Sequence, residues 1–304
     1  MDELALLKEI EPVAEELLNR HMGVAKEWFP HELVPYSRGK DFEPGKPWTE
    51  DDSDFGGTDN QMSDAVRSSL FVNLLTEDNL PYYFRDINQL FGNDGAYGEW
   101  GRNWTAEEGR HSIVIRDYLT VTRAIDPIAL ERGRMQQVRG GQVPAPLDLF
   151  EALAYLSMQE LATRIAHRNT GKMMHDELGE AIMSRVGNDE NLHYLFYRDL
   201  ATAAIAVDPS NMVIGIERAV RTFAMPGTGI PDFERHSREI AKVGIYDLSI
   251  HHDQILQPVV MRHWKLDQMT GLSSEAELAR EALFKRIERI GKVSAKLASD
   301  RVPA

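Results

Sequence analysis

An all-α helix bundle is the fold class the sequence predicts, and three observations carry that prediction. Apolar residues recur at three- and four-residue intervals along nearly the whole of the 304-residue chain. No segment alternates apolar and polar residues as a half-buried strand does. Two long segments with helical patterning each contain Glu-x-x-His, a spacing that sets both side chains on one helix face.

The elements follow in order. Residues 2–20 read as an amphipathic helix. Residues 23–62 are rich in Pro, Gly and Asp and read as an extended arm with little regular structure. A helix over 63–90 aligns Leu70, Leu74, Glu77 and Phe84, with Pro81 expected to kink or widen it one turn after Glu77. The glycine-rich run "FGNDGAYG" (91–98) is a turn. A helix over 99–123 aligns Trp104, Glu108, His111 and Ile115. Residues 124–147 form a longer connection. A helix over 147–170 presents Leu153, Leu156, Glu160 and Thr163, and one over 176–206 presents Met183, Val186, Glu190, His193 and Tyr197. Further helices are expected near 211–224, 232–243, 247–265 and 274–299. The last opens with a capping-box pattern, Ser274-x-x-Glu277. The whole of 1–304 reads as one domain: helix and arm (1–62), a four-helix core (63–206) and additional helices (207–304).

Composition narrows the function. Hydrophobic residues make up 42% and charged residues 27%, ordinary for a water-soluble protein, and no apolar run reaches the length of a membrane span. Cysteine is absent, which excludes thiolate metal sites, iron–sulfur clusters and disulfides and suits a cytoplasmic location. A formal net charge of −14 argues against a general nucleic-acid binder. The stretch "PGTGIPD" (226–232) lacks the third glycine and the preceding strand of a dinucleotide fingerprint.

The two Glu-x-x-His motifs form one pattern. Glu77 lies 31 residues before Glu108, and Glu160 lies 30 residues before Glu190. One arrangement thus occurs twice: a helix with a core-facing Glu, a turn, then a helix with Glu-x-x-His. Stacked in a bundle, the two copies bring Glu77, Glu108, His111, Glu160, Glu190 and His193 together. Four carboxylates and two imidazoles so disposed are the recorded inventory of ferritin-like di-iron or di-manganese proteins. Oxygen and imidazole donors suit two iron ions, with manganese as a substitute. His21, His31, His167, His175, His236, His251, His252 and His263 lack such context and read as surface or packing residues.

Around these residues the sequence resembles the soluble acyl-acyl-carrier-protein desaturases of plant plastids and actinobacteria. The similar stretches are "LLTEDNLPYY" (74–83), "NWTAEEGRHSIVIRDYL" (103–119), "SMQELATRIAHRNT" (157–170), "GNDENLHYLFYRDL" (187–200) and "RHWKLDQMTGLSSE" (262–275). The resemblance implies the same six metal ligands. It further implies that Thr163 stands beside the oxygen-binding face and that Asp189 hydrogen-bonds a ligand histidine. Trp28 and Arg110 would join Asp189 in an electron-entry route, and Ala152 and Leu153 would line an acyl tunnel. The implied reaction is O2-dependent insertion of a cis double bond into a carrier-bound acyl chain. Without cysteine or a nucleotide fingerprint, the electrons must come from another protein, with a ferredoxin-type donor the family expectation. Hydroxylation or N-oxygenation of another substrate on the same bundle is the nearest alternative. A non-catalytic ferritin-like protein that binds metal or an acyl chain is the next.

Two expectations concern partners. Phe71, Val72, Ile113 and Val114 form an apolar face away from the metals, consistent with the family's homodimer. The acidic carrier needs a local basic patch, and between Arg280 and Arg301 seven basic residues face three acidic ones (Glu281, Glu288, Asp300). Lys285, Arg289 and Lys292 share a stripe there and are the expected docking residues, with Arg132, Arg134 and Arg139 as the other basic run.

Overall fold

In the computed structural model, which describes residues 1–56, 61–227 and 229–299, every regular element is helical. In chain order these are α1 (Glu3–Val24), α2 (Pro30–Leu33), α3 (Asp64–Glu77), α4 (Leu80–Phe91), α5 (Gly95–Thr122) and α6 (Pro127–Gly140). They are followed by α7 (Leu149–Lys172), α8 (Glu177–Val207), α9 (Pro209–Thr222), α10 (Phe233–Lys242), α11 (Leu248–Ile250) and α12 (Ser274–Ser299). A π-helical stretch, His251–His263, continues directly from α11. Thr228, Asp300 and Arg301, invoked above, lie outside the described residues.

Aspartate starts most of the helices. Asp2, Asp126, Asp148, Asp176, Asp208 and Asp247 each accept a hydrogen bond from a first-turn amide of α1, α6, α7, α8, α9 and α11. A carboxylate there satisfies an orphan N–H and faces the positive end of the helix dipole. Asp208 both ends α8 and caps α9, so Pro209 begins a new helix with no intervening loop.

Helices α3, α5, α7 and α8 form the ferritin-like core, with α7 and α8 packed most extensively. Helix α1 covers α8 and α5, α9 lies on α7, and α12 lies on α9. The apolar interior has two parts. One holds Trp100, Trp104, Met158, Tyr197 and the outer helices; the other holds Leu70, Leu74, Val114, Ile115, Met183 and Val186. Glu108 and His111 on α5, and Glu190 and His193 on α8, fall between them, so a polar layer divides the core.

Several boundaries differ from the sequence expectation. The helix over 63–90 is two helices: α3 stops at Glu77, and Asn79 and Pro81 start α4. Proline fits the first turn of a new helix, where no amide partner is lost. The connection 124–147 contains α6, opened by Asp126-Pro127 and closed by Gly141 at φ +58. Among its described residues the arm has only short helical turns, at 30–33, 36–38 and 50–52, yet buries Trp28, Val34 and Phe55. The cap of α12 is Ser273, whose hydroxyl accepts from Ala276 N at 3.2 Å. Ser274 is already helical, one residue off the predicted box.

Candidate metal centre

Each ligand-bearing helix delivers its residues through periodicity. Glu108 and His111 share one face of α5, Glu190 and His193 one face of α8, and Glu77 is the last residue of α3. All six predicted ligands are at most 6% exposed. Ligand atoms of Glu77, Glu108, His111 and Glu190 lie within 4.8 Å of one another, and so do those of Glu108, Glu160, Glu190 and His193. Glu108 and Glu190 belong to both groups. Glu108 turns Oε1 toward His193 Nδ1 at 2.9 Å and Oε2 toward His111 Nδ1 at 3.2 Å. The residues are thus able to hold two ions with two shared carboxylates.

The histidines are oriented from behind. Glu107 Oε2 stands 2.8 Å from His193 Nε2, and Asp189 Oδ2 stands 3.5 Å from His111 Nε2. A carboxylate only accepts here, so these contacts place a proton on each Nε2, and each Nδ1 would offer its lone pair to a bound ion. His193 Nδ1 is buried beside Glu108 with no directed hydrogen bond, which fits a ligand atom. The two supports cross over: the acid preceding each shared Glu faces the histidine of the other motif. Arg110 stands between them, 3.5 Å from Asp189 and 3.7 Å from Glu107. Sequence reasoning gave Asp189 but missed Glu107, although both motifs read acid-Glu-x-x-His.

Thr163 donates to Glu190 Oε2 at 2.9 Å. Trp28 donates to Asp189 Oδ2 at 2.7 Å, with the Arg110 guanidinium 5.0 Å from its ring centre, so Trp28, Asp189, Arg110 and His111 form one connected group. On the other side Glu107 also meets His21 of α1 at 3.1 Å. His167, assigned to the packing residues from sequence, is instead 1% exposed with Nε2 3.3 Å from Glu77 Oε1 and 3.5 Å from Glu190 Oε1. It lies seven residues after Glu160, two turns along the same face, and that periodicity was the available signal.

Electrostatics describe a cluster short of positive charge. Burial pushes the Glu77 carboxyl up to about 8. Burial and the neighbouring Glu190 charge push Glu160 up as well. Burial acts on Glu190 too, but the His111 and His167 rings beside it outweigh burial and hold that carboxyl well below its usual range. A pair of divalent cations would supply the missing charge to all four carboxylates.

A cavity reaches this layer. It is walled by α4 (Leu80, Tyr83, Ile87, Leu90) and α7 (Ala152, Tyr155, Leu156), and its inner end is formed by Glu77, Glu108, Glu190 and Thr163. Ala152 lines it as expected. Leu153 does not: one residue on, it is turned away into the core, fully buried. Lys285, Arg289 and Lys292 are exposed on α12, but Lys285 pairs with Glu281 and Lys292 with Glu288, and no α12 residue lines the cavity. The expected apolar dimer face is largely covered by the chain itself. Val114 is fully buried, Val72 is 9% exposed, Phe71 packs on Gly133 and His236, and only Ile113 is open, at 50%.

Comparison with known proteins agrees with this architecture. Residues 2–303 match the model of a fatty acid desaturase family. A Mycobacterium tuberculosis protein named as a candidate acyl-acyl-carrier-protein desaturase, DesA1, is 40% identical over 293 residues, covering 93% of this chain and 84% of its own length. The spinach chloroplast stearoyl-acyl-carrier-protein 9-desaturase is 27% identical over 314 residues, covering 95% of this chain and 76% of its own. The crystal structure of DesA2 from M. tuberculosis covers 90% of this chain and 99% of its own with a TM-score of 0.72, at 23% identity, which establishes the shared fold. Family model, relatives and fold therefore converge: the chain belongs to the fatty acid desaturase family that includes the acyl-acyl-carrier-protein desaturases.

Proposed function

We propose that this chain is an O2-dependent desaturase that inserts a cis double bond into a saturated acyl chain carried on acyl carrier protein. The observation that carries the reading is the apolar cavity ending on the carboxylate and imidazole layer. An unactivated methylene offers no proton to a side-chain base, so a bound redox metal pair must supply the oxidising chemistry. The overall change is balanced by one O2, two external electrons and two protons, with two waters formed beside the alkene. Glu77 and His111 would complete one ion and Glu160 and His193 the other, with Glu108 and Glu190 shared. The oxygen-rich donor set suits iron, or manganese as a substitute.

The chain's own residues hold the ligands, exclude water and align the acyl chain between α4 and α7. Electrons would come from a ferredoxin-type protein, and Trp28, Arg110 and Asp189 form a connected path from the arm to His111. The carrier is acidic, so the exposed Lys285, Arg289 and Lys292 are proposed to assist docking, and the run Arg132, Arg134 and Arg139 is the other candidate surface. A homodimer and a cytoplasmic location complete the reading. No helix among the described residues is long and apolar enough to cross a membrane.

Iron-loaded protein should convert saturated acyl carrier protein to a product lighter by two hydrogens when ferredoxin, its reductase and O2 are present. NADPH without those proteins should give none. An oxygenated acyl product would favour a hydroxylase instead. Anaerobic ferrous titration should give two ions per chain, and Glu190→Ala should bind fewer. Retention of both ions by that variant would sink the shared-ligand assignment.

A further inference from the structure

Helix α7 contributes more than Glu160 to the centre. Glu160, Thr163 and His167 follow one another at three and four residues and form a single stripe. Thr163 donates to Glu190 Oε2 at 2.9 Å. His167 Nε2 faces the other Glu190 oxygen at 3.5 Å, and Glu77 Oε1 at 3.3 Å. The remaining Glu77 oxygen, Oε2, faces His111 Nδ1 at 3.9 Å. Glu160 is tied in a comparable way: its Oε1 accepts from the Trp104 indole at 3.2 Å, and its Oε2 faces His193 Nδ1 at 3.9 Å. Each unshared carboxylate therefore has one oxygen turned to a protein donor and one turned to the ligand histidine of its own ion.

We propose that His167 is a positioning residue of the metal centre: it confines Glu77 to one metal-facing oxygen and, together with Thr163, brackets Glu190 from both of its oxygens. The inference rests on the two-ion reading above. Neither nitrogen of His167 has a directed hydrogen bond, so the ring edge addresses both carboxylates at once. A histidine that served packing alone would have no reason to be nearly fully buried against two acids in a polar layer. The two ions are inequivalent as a consequence. Glu160 is restrained by an indole N–H that never changes its donor character, whereas Glu77 is restrained by an imidazole.

The test uses the full chain with ferrous iron as the probe, titrated anaerobically and followed by Mössbauer spectroscopy of isotopically enriched protein. His167→Phe keeps a ring and removes the nitrogen, and His167→Gln returns an N–H donor. Wild type should hold two ions. His167→Phe should bind the ion held by Glu77 about tenfold or more weakly, the scale seen for lost ligand supports, and should shift its quadrupole doublet more than the other, which shares only Glu190. His167→Gln should recover most of both. Identical spectra and affinities in wild type and His167→Phe would overturn the inference, as would equal disturbance of both doublets with no recovery in His167→Gln. A wild-type chain that takes up no metal would overturn the two-ion reading and this inference with it. If wild type holds two ions and the variants match it, only the role of His167 falls.

Discussion

Glu107 shows how a single side chain serves the centre without touching an ion. Burial acts to raise its carboxyl, but hydrogen bonds from His193 and His21 outweigh burial and hold it well below the usual range. The charge keeps the proton on His193 Nε2 and the lone pair on Nδ1. Glu107→Gln retains shape and loses that charge, so one ion should bind about 10–100-fold more weakly in a ferrous titration. Asp189→Asn should do the same to the other ion, and an unchanged titration for either variant would refute its supporting role. His251 illustrates the opposite balance. It is 7% exposed, tilted against the Phe223 ring with centroids 4.5 Å apart, and its Nδ1 is 2.9 Å from the Tyr246 hydroxyl. Burial, assisted by His252, pulls it from 6.5 down to about 4. The folded pKa lies below the unfolded one, so between those values the unfolded chain binds more protons and stability falls as the pH falls. The loss through this window is about 3.5 kcal/mol at most, at ~1.4 kcal/mol per unit. Urea denaturation of His251→Asn should show a flatter decline between those values than wild type. Parallel curves would show that His251 does not carry it. The six candidate ligands are clear in the sequence because their repeat is regular. Glu107 and His167 are less legible: Glu107 is a single acid beside a motif, and the seven-residue spacing of His167 from Glu160 points to the layer only once the partner helices are known.

At the scale of elements, legibility followed burial. Helices α5, α7 and α8 bury a continuous stripe, and their predicted spans lie within four residues of those observed at each end. Helix α6 buries only Leu130, Gly133 and Gln137, so its apolar period was too weak to see, although Asp126-Pro127 and Gly141 mark its ends. The split at Glu77 was signalled by Pro81, which was read as a kink because the apolar pattern continues through it. The break is what leaves Glu77 at a helix end facing the layer while α4 turns to wall the cavity. Close helix contact explains other positions. A Cβ on Gly215 of α9 would stand 2.6 Å from the carbonyl carbon of Phe150 in α7, and backbone cannot move aside as a side chain does. Gly215→Ala should cost about 1–3 kcal/mol by overpacking. Gly23 in the last turn of α1 has nothing within 4 Å, so Gly23→Ala should be neutral or stabilising by up to about 1 kcal/mol. Thermal denaturation of the pair separates the two cases; equal melting temperatures would show that the α7–α9 contact is not tight.

Across the whole molecule, the polar layer and the cavity are one construction. Four buried carboxylates between two apolar clusters would split the core at a high cost in free energy, a cost that bound cations together with the α7 stripe would offset. The cavity starts at that layer and follows α4 and α7 away from it. Ala152 lies eleven residues before Thr163 on α7, so roughly 16 Å of helix separates them. Asp86, Leu90, Pro144 and Pro146 border the same end of the cavity and are half-buried, while Glu77, Glu108 and Glu190 at the inner end are buried. Ala152 thus lines the section of the cavity away from the layer and would border an acyl chain lying along α7. Ala152→Phe should fill that section and displace two or three methylenes, each worth about 0.8 kcal/mol when buried. Turnover of the longest acyl chains should therefore fall by about tenfold or more, since ~1.4 kcal/mol is a factor of ten. Shorter chains should be affected less, and the iron content should stay at the wild-type value. Competition between acyl carrier substrates of different length, read by mass spectrometry of the products, measures the ratio directly. Equal losses at every length would mean that the chain does not lie along α7, and a fall in iron content would mean that the substitution disturbs the centre and not the cavity.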